Sequence, residues 1–322
     1  MGNRTRKRIL VAVDGSEQAL EAVRYVSRSL APMETDVILF HVMTRIPESF
    51  FDLEKEPQFR YKIANIKAWE TQQEKIIEEF FAKGRQILSL AGFPPEAVIV
   101  DIQERRAGIA RDILAESQRG YDAIVLGRKG LSELKDIVLG SVAIKLVEKV
   151  SHLPIWVVGG KPAAGKILIS MDTSEGAGQA MRYVAAMTAG APDITIRLVH
   201  AIRGFDVFNQ ILGSSIVGSQ EAEWLEMAQR ELDDSGKEII PVFEEATKCF
   251  LEAGLDAHRV SHAVLKGVSS RSGAIVEEAE REGCDTIVLG RRGLSRVQEF
   301  FMGRVSNKVI HLAREKTVWV VS

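Results

Sequence analysis

The sequence predicts two tandem α/β domains, each a doubly wound parallel sheet flanked by helices. Three observations carry this. The segment from Ile124 to Ser132, IVLGRKGLS, returns from Ile287 to Ser295 as IVLGRRGLS in a chain of 322 residues, and self-similarity of that kind sets the architecture before any local feature does. Short runs rich in Val and Ile alternate with segments of helical period, the pattern of βαβ units with right-handed crossovers. The runs are apolar throughout rather than alternating, as strands are when both faces of the sheet are covered.

In the first half the expected strands are Ile9–Val13, Val37–Val42, Ala97–Ile102, Ala123–Leu126 and Ile155–Val158. Ser16 is placed to cap a helix over Glu17 to Leu30, because its hydroxyl can accept from an amide one turn on. A long helix is expected from about Tyr61 to Ala91, and shorter ones at about Ile109–Arg119 and Ser141–Val150. The second half repeats the order. Ile167–Met171 leads into Asp172, Thr173 and Ser174 as Ile9–Val13 leads into Asp14, Gly15 and Ser16; Ile194–Val199 ends in His200 as Val37–Phe40 ends in His41; Val318–Val321 closes the chain as Ile155–Val158 closes the first half. The second long helix is expected from roughly Gln220 to Ala253.

The join falls near Gly159 to Gly165, a short stretch rich in helix and strand breakers, which gives domains over 1–159 and 166–322. Each half is of ordinary domain size and can bury its own core. The fifth strands, expected at sheet edges, are apolar and carry Trp156 and Trp319. Exposed apolar edges aggregate, so the two halves are expected to cover each other as an intramolecular pseudo-dimer with Trp156 facing Trp319, and pairing into a homodimer is open to such a chain. The segments 44–60 and 203–219 have no clear period and hold Phe50, Phe51, Phe205 and Phe208. They read as loosely packed connections or as lids and partner surfaces.

Composition excludes several classes. Hydrophobic content of 46% and charge of 27% are ordinary for a globular chain, and a net charge of −2 supplies no field for nucleic acid or anionic lipid. The apolar run after Arg6, Lys7 and Arg8 stops at Asp14, too short for a signal peptide, and no run is long enough to span a bilayer. The two cysteines, Cys249 and Cys284, have no metal-like spacing and read as thiols of a reducing cytoplasm. The histidines share no zinc-like spacing with carboxylates or thiols. His41 and His200 have no Ser–Asp or Cys partner in a catalytic order and are expected to be packed or hydrogen-bonded; no catalytic residue is assigned.

In an open parallel sheet, ligands bind beyond the carboxyl ends of the strands. Asp14, His41 and Gly127 lie at such ends, as do Asp172, His200 and Gly290. The loop after the fourth strand begins Gly127-Arg128-Lys129-Gly130, and nine residues later Gly140 and Ser141 open a helix. Glycines let the backbone approach a ligand closely, and free amides at a helix start favour an anion. Ser141 adds a hydroxyl donor, and Asp14, with Gly15 and Ser16 beside it, offers acceptors to a base or sugar. Arg128, Lys129, Arg291 and Arg292 either neutralise phosphate or point to water.

With this order of features the chain resembles the universal stress protein family in its tandem form. The family's nucleotide signature, G-x2-G-x9-G-S/T, is met at Gly127, Gly130, Gly140 and Ser141, and the likeness extends from the V-D-G-S opening at Val13–Ser16 to the final apolar strand. The resemblance implies five parallel strands in the order 3-2-1-4-5. It implies ATP, with or without Mg, held with adenine and ribose near Asp14 and the backbone of Val42 and phosphates on Gly127–Gly130 and Gly140–Ser141. The second half keeps Asp172, Gly290, Gly293 and Gly303, but Arg304 stands where the signature has Ser or Thr. Arg304 either pairs with phosphate or fills the anion position itself, and Ser306 lies too far into the helix to replace the hydroxyl, so a weakened or empty second site is expected. The function that follows is a cytoplasmic, adenine-nucleotide-binding stress-response protein that regulates rather than catalyses. A nucleotide-free interaction module and a slow ATP hydrolase are the alternatives.

Overall fold

The computed structural model describes residues 6–45, 60–130, 138–160, 163, 165–191, 193–204, 230, 233–234, 236–293 and 302–322. The expected aromatic loops over 46–59 and 205–219 and the start of the second long helix at 220–229 lie outside the described residues. The chain divides into two compact units, Met1–Arg28 with Pro32–Val150, and Ser29–Ala31 with Ser151–Ser322. No helix among the described residues is long and apolar enough to cross a membrane.

The first unit alternates strand and helix: β1 (Lys7–Ala12), α1 (Glu17–Ser29), β2 (Thr35–Met43), α2 (Arg60–Leu90), β3 (Val98–Glu104), α3 (Ile109–Ser117), β4 (Ala123–Gly127) and α4 (Ser141–Lys149). Its strands are all parallel, with β1 between β2 and β4 and β3 outside β2. Counting β5 (Ile155–Val158), the first half has the expected order 3-2-1-4-5. Successive side chains of a strand point to opposite faces, and Ile9, Leu10 and Val11 of β1 are all fully buried. Both faces are therefore covered by helices, which is why the strand reads as an unbroken apolar run. Ser16 caps α1 as expected, its Oγ accepting from the Ala19 amide at 3.1 Å.

The second unit contains β5, β6 (Lys166–Ser170), α5 (Glu175–Thr188), β7 (Thr195–Arg203), α6 (Ile240–Glu252), β8 (Val260–Val268), α7 (Arg271–Arg281), β9 (Thr286–Gly290), α8 (Arg304–Leu312) and β10 (Thr317–Val321). The strands β8, β7, β6, β9 and β10 repeat the 3-2-1-4-5 order in parallel. Serines again start helices: Ser174 Oγ accepts from the Ala177 amide and Ser270 Oγ from the Gly273 amide, both at 3.3 Å.

The long helix expected over Gln220 to Ala253 is not continuous. A turn at Ile239 precedes α6, and Pro241 sits in its first turn. Proline lacks the amide an interior position must donate, so it is accommodated at a helix start. Pro241 was the sequence signal for this boundary.

Within the second unit β5 runs antiparallel to β10, with Trp156 opposite Trp319 in the register. The two indoles face each other as expected, stacked with centroids 3.9 Å apart and planes within 3°, and both are fully buried. Tyr183 stands edge-on to Trp319 and its hydroxyl accepts from Trp156 Nε1 at 3.1 Å.

Candidate functional site

At the carboxyl ends of β1, β2 and β4 the first unit opens a cleft of about 1000 Å³, at the upper end of the range for small-molecule sites, ~300–1,000 Å³. The sequence-predicted residues Asp14, Val42, Gly127, Arg128, Lys129, Gly130, Gly140 and Ser141 all line it. Gly15 and Ser16 stand behind Asp14 rather than on the wall. Ser16 donates its amide to Asp14 Oδ1 at 3.0 Å while its hydroxyl caps α1. Gly15 has φ of +85°, a conformation that costs other residues strain, and so turns the chain from strand to helix at the aspartate.

The phosphate-type end of the cleft is built from backbone. The amide of Gly140 donates to the Arg128 carbonyl at 2.8 Å, and the first bond of α4 runs from the Ile144 amide to the Gly140 carbonyl at 2.9 Å. The amides of Ser141, Val142 and Ala143 precede that bond and have no acceptor within the helix. All three residues line the cleft, where those amides and the positive end of the helix dipole favour an anion. Lys129 lies half-buried in the same wall.

The glycines differ in what they permit. A Cβ on Gly130 would overlap Asp14 Oδ2, so the bare glycine lets the loop close over the aspartate. A Cβ on Gly127 would lie 2.9 Å from the backbone carbon and oxygen of Gln18 in α1. Gly127 is therefore also a packing requirement between loop and helix. A Cβ on Gly140 would meet the Arg128 carbonyl oxygen at an ordinary 3.4 Å.

Of the basic residues left open between phosphate and solvent, Arg128 and Arg291 are buried, at 3% exposure each, whereas Arg292 is exposed. Burial lowers the Arg291 pKa from its ordinary value, and neighbouring Arg292 lowers it further. Arg128 thus enters the cleft wall as part of the fold.

His41 and His200 are hydrogen-bonded, as expected. His41 Nδ1 meets the Val13 carbonyl at 2.8 Å and His200 Nδ1 the Met171 carbonyl at 2.7 Å. In each half the ring ties the second strand to the residue before the aspartate. A ring nitrogen facing a carbonyl must carry its hydrogen, so Nδ1 donates. Burial pushes the His41 pKa below its ordinary value, against the raising influence of the Val13 carbonyl and Asp14. The unfolded chain therefore binds a proton at a higher pH than the folded chain does, so stability rises with pH between the depressed value and the ordinary one of 6.5. Urea titrations are expected to show stability falling as the pH drops below about 6.5, and His41→Asn, which keeps a donor for Val13 but cannot titrate, is expected to flatten that slope.

The second half repeats most of the geometry. Ser174 donates its amide to Asp172 Oδ1 at 2.9 Å, and the Gly303 amide donates to the Arg291 carbonyl at 2.8 Å, as Gly140 does to Arg128. A Cβ on Gly293 would lie 3.0 Å from Asp172 Oδ2. Four details differ. The Ser174 hydroxyl also engages Asp172 Oδ1 in a short contact. A Cβ on Gly290 would lie 2.6 Å from the backbone of Gly176, and one on Gly176 would overlap the Arg292 carbonyl oxygen, so the loop sits directly on a second glycine in α5. Ser306 is buried and its hydroxyl donates to the Gly290 carbonyl at 2.8 Å, which takes it out of reach as a substitute donor. Arg304 is exposed at the first position of α8.

Sequence reasoning missed the α2 wall of the first cleft. Trp69, Glu70, Gln73, Glu74 and Ile77 of α2 line it, and Arg45, Glu104 and Arg105 stand at its rim, with Arg45 and Glu104 paired at 3.1 Å. The available signal was an indole followed by a polar stretch of helix, Glu70 to Lys75.

The profile of the universal stress protein family matches residues 5–159 and again 164–322. The chain is 28% identical over 149 residues to universal stress protein MJ0577 of Methanocaldococcus jannaschii, covering 45% of this chain and 87% of that protein. It is 23% identical over 171 residues to a universal stress protein of Mycolicibacterium smegmatis, covering 52% of this chain and 54%, about half, of that one. Its fold is similar to the crystal structure of a universal stress protein from Archaeoglobus fulgidus, with a TM-score of 0.57, 18% identity and 98% of each chain covered.

Proposed function

The chain belongs to the universal stress protein family, and from that premise we propose that it is a regulatory, adenine-nucleotide-binding stress-response protein whose first half holds ATP. The family includes ATP-binding members. One observation carries the reading for this chain: the amides of Ser141–Ala143, which have no acceptor within α4, the Gly127–Gly130 loop and the Asp14 carboxylate converge on one cleft of ligand size. The amides and Lys129 suit a polyphosphate, Asp14 suits the donors of a ribose, and the backbone at the end of β2, at Val42, suits the base. The polyanion would be held mainly by backbone dipoles, which need little reorganisation on binding. Nothing in this arrangement requires bond cleavage, so the bound nucleotide acts as a signal, read in the cytoplasm by a partner or a second copy of the chain. The domains are 1–159 and 166–322, and only the first retains full affinity.

The second half keeps Asp172, Gly290, Gly293 and Gly303 but has the exposed Arg304 where the first half has the Ser141 hydroxyl. A hydrogen bond to a charged group contributes about 1.5–3 kcal/mol, so the second site is weaker by roughly one to two orders of magnitude. Calorimetric titration of the full chain with ATP tests both statements. One equivalent is expected for the native chain, and Arg304→Ser is expected to add a second, weaker event. Absence of heat in the native chain rejects the proposal, and a second event no stronger in Arg304→Ser rejects the account of the second half.

A further inference from the structure

The helix α2 changes character along its length without changing face. Its second half packs on the sheet through Ile77, Phe80, Phe81 and Leu88, all buried, and Gly84 allows an approach in which a Cβ would lie 3.1 Å from Leu39 Cδ1. These positions follow the spacing by which a helix covers a core. One and two turns earlier the same face carries Gln73 and Glu70, half-buried, flanked by Glu74 and Trp69. This part of the helix borders the cleft, and Trp69, Glu70, Gln73 and Glu74 join its lining. Trp69 is 49% exposed there.

A half-exposed indole on a cleft wall, among polar residues and away from the packed half of the helix, contributes little to folding. It does offer a flat aromatic face to a ligand. The cleft lining is mixed in chemistry. Lys129 and the amide-rich start of α4 favour an anion. Glu70 and Glu74 stand on the α2 wall, where phosphate is repelled and a neutral ring bearing amino donors is accepted. The end of β2, with Val42 and Met43, lines the same cleft. We propose that the cleft-lining half of α2 is the base-recognising wall of the nucleotide site and that Trp69 stacks on the face of the base. This rests on the nucleotide-binding proposal above and adds the residue that reads the ring.

The test separates the two. The full chain is titrated with ATP by calorimetry and by tryptophan emission, in the native protein, in Trp69→Phe and in Trp69→Ala. Stacking of a base on an aromatic side chain contributes enough that its removal lowers affinity about five- to hundredfold. Trp69→Ala is therefore expected to bind ATP that much more weakly. Trp69→Phe, which keeps a ring, is expected to stay within about threefold of the native affinity by the same scale. The chain has four tryptophans, so the native spectrum minus that of Trp69→Phe isolates the Trp69 emission, which is expected to be quenched by ATP. Because Trp69 is half exposed, Trp69→Ala is expected to fold, and an unchanged far-UV circular dichroism spectrum verifies it. Native affinity in Trp69→Ala with no quench of Trp69 overturns the stacking role while leaving nucleotide binding intact. Equal weakening in Trp69→Phe and Trp69→Ala also overturns it, since a ring would then be no better than a methyl. No heat in the native protein itself overturns the underlying nucleotide site.

Discussion

Gly130→Ala is expected to lower ATP affinity at the first site by at least tenfold while the protein remains folded, and Gly127→Val is expected to do the reverse, costing stability first. The two positions are three residues apart in one signature, yet they do different physical work. A methyl at 130 runs into Asp14 Oδ2, the end of a side chain that can swing aside. The fold then survives, but the carboxylate that should meet the sugar is displaced from its place beside the loop and from the Ser16 amide that orients it. Losing a hydrogen bond to a charged group in this way corresponds to about 1.5–3 kcal/mol, which is the basis for the tenfold figure. A side chain at 127 runs instead into the backbone of Gln18, which cannot move without shifting α1. Overpacking of that kind costs about 1–3 kcal/mol. Urea denaturation paired with ATP calorimetry on both variants separates the effects. Equal losses of stability in both would show that the glycines are simply loop residues.

The largest loss of stability is expected from truncating the stacked indoles. Trp156 and Trp319 are among the largest fully buried side chains among the described residues, and Trp→Ala in a core costs about 3–5 kcal/mol. Replacement by phenylalanine is expected to distinguish them. Trp156 Nε1 donates to the Tyr183 hydroxyl, so Trp156→Phe removes that bond and leaves a half-buried tyrosine with one partner fewer. Trp319 Nε1 is buried with no hydrogen-bond partner among the described residues. Burying an unsatisfied donor is unfavourable, and Trp319→Phe removes that penalty together with some packing area. Trp319→Phe is therefore expected to cost less than Trp156→Phe in thermal or urea melts. The opposite order would show that indole volume, rather than the polar edge, dominates this contact.

Much of this was legible in the sequence because duplication prints each element twice. Asp14 and Asp172, His41 and His200, Trp156 and Trp319 sit at matching places, and a strand covered on both faces cannot be confused with an amphipathic helix at that length. The glycine loop and α4 start were legible for a related reason: anion binding by backbone demands small residues at fixed spacing. What escaped the sequence depends on neighbours that are distant along the chain. That Gly127 faces Gln18 while Gly130 faces Asp14 is set by how α1 crosses the loop. That α2 lines a cleft in its first half and covers the sheet in its second follows from where the sheet ends, and a helical period is the same over a core or over water. The Arg304 substitution was visible, but the surroundings of the neighbouring hydroxyl were not. Arg304 is exposed, and Ser306, too far along the helix to help, is bonded to the Gly290 carbonyl. The break before α6 was signalled by Pro241 and overridden by the apolar period around it.

In the proposed site, backbone amides at the start of α4 and the loop from Gly127 to Gly130 form a nucleotide cradle that the second half keeps only in weakened form. Equilibrium binding of ATP to the full-length native chain, read as moles bound per mole of chain, tests it most directly. One equivalent at concentrations that saturate the first site is predicted. No binding, or a single equivalent that persists undiminished in Gly130→Ala, would contradict it.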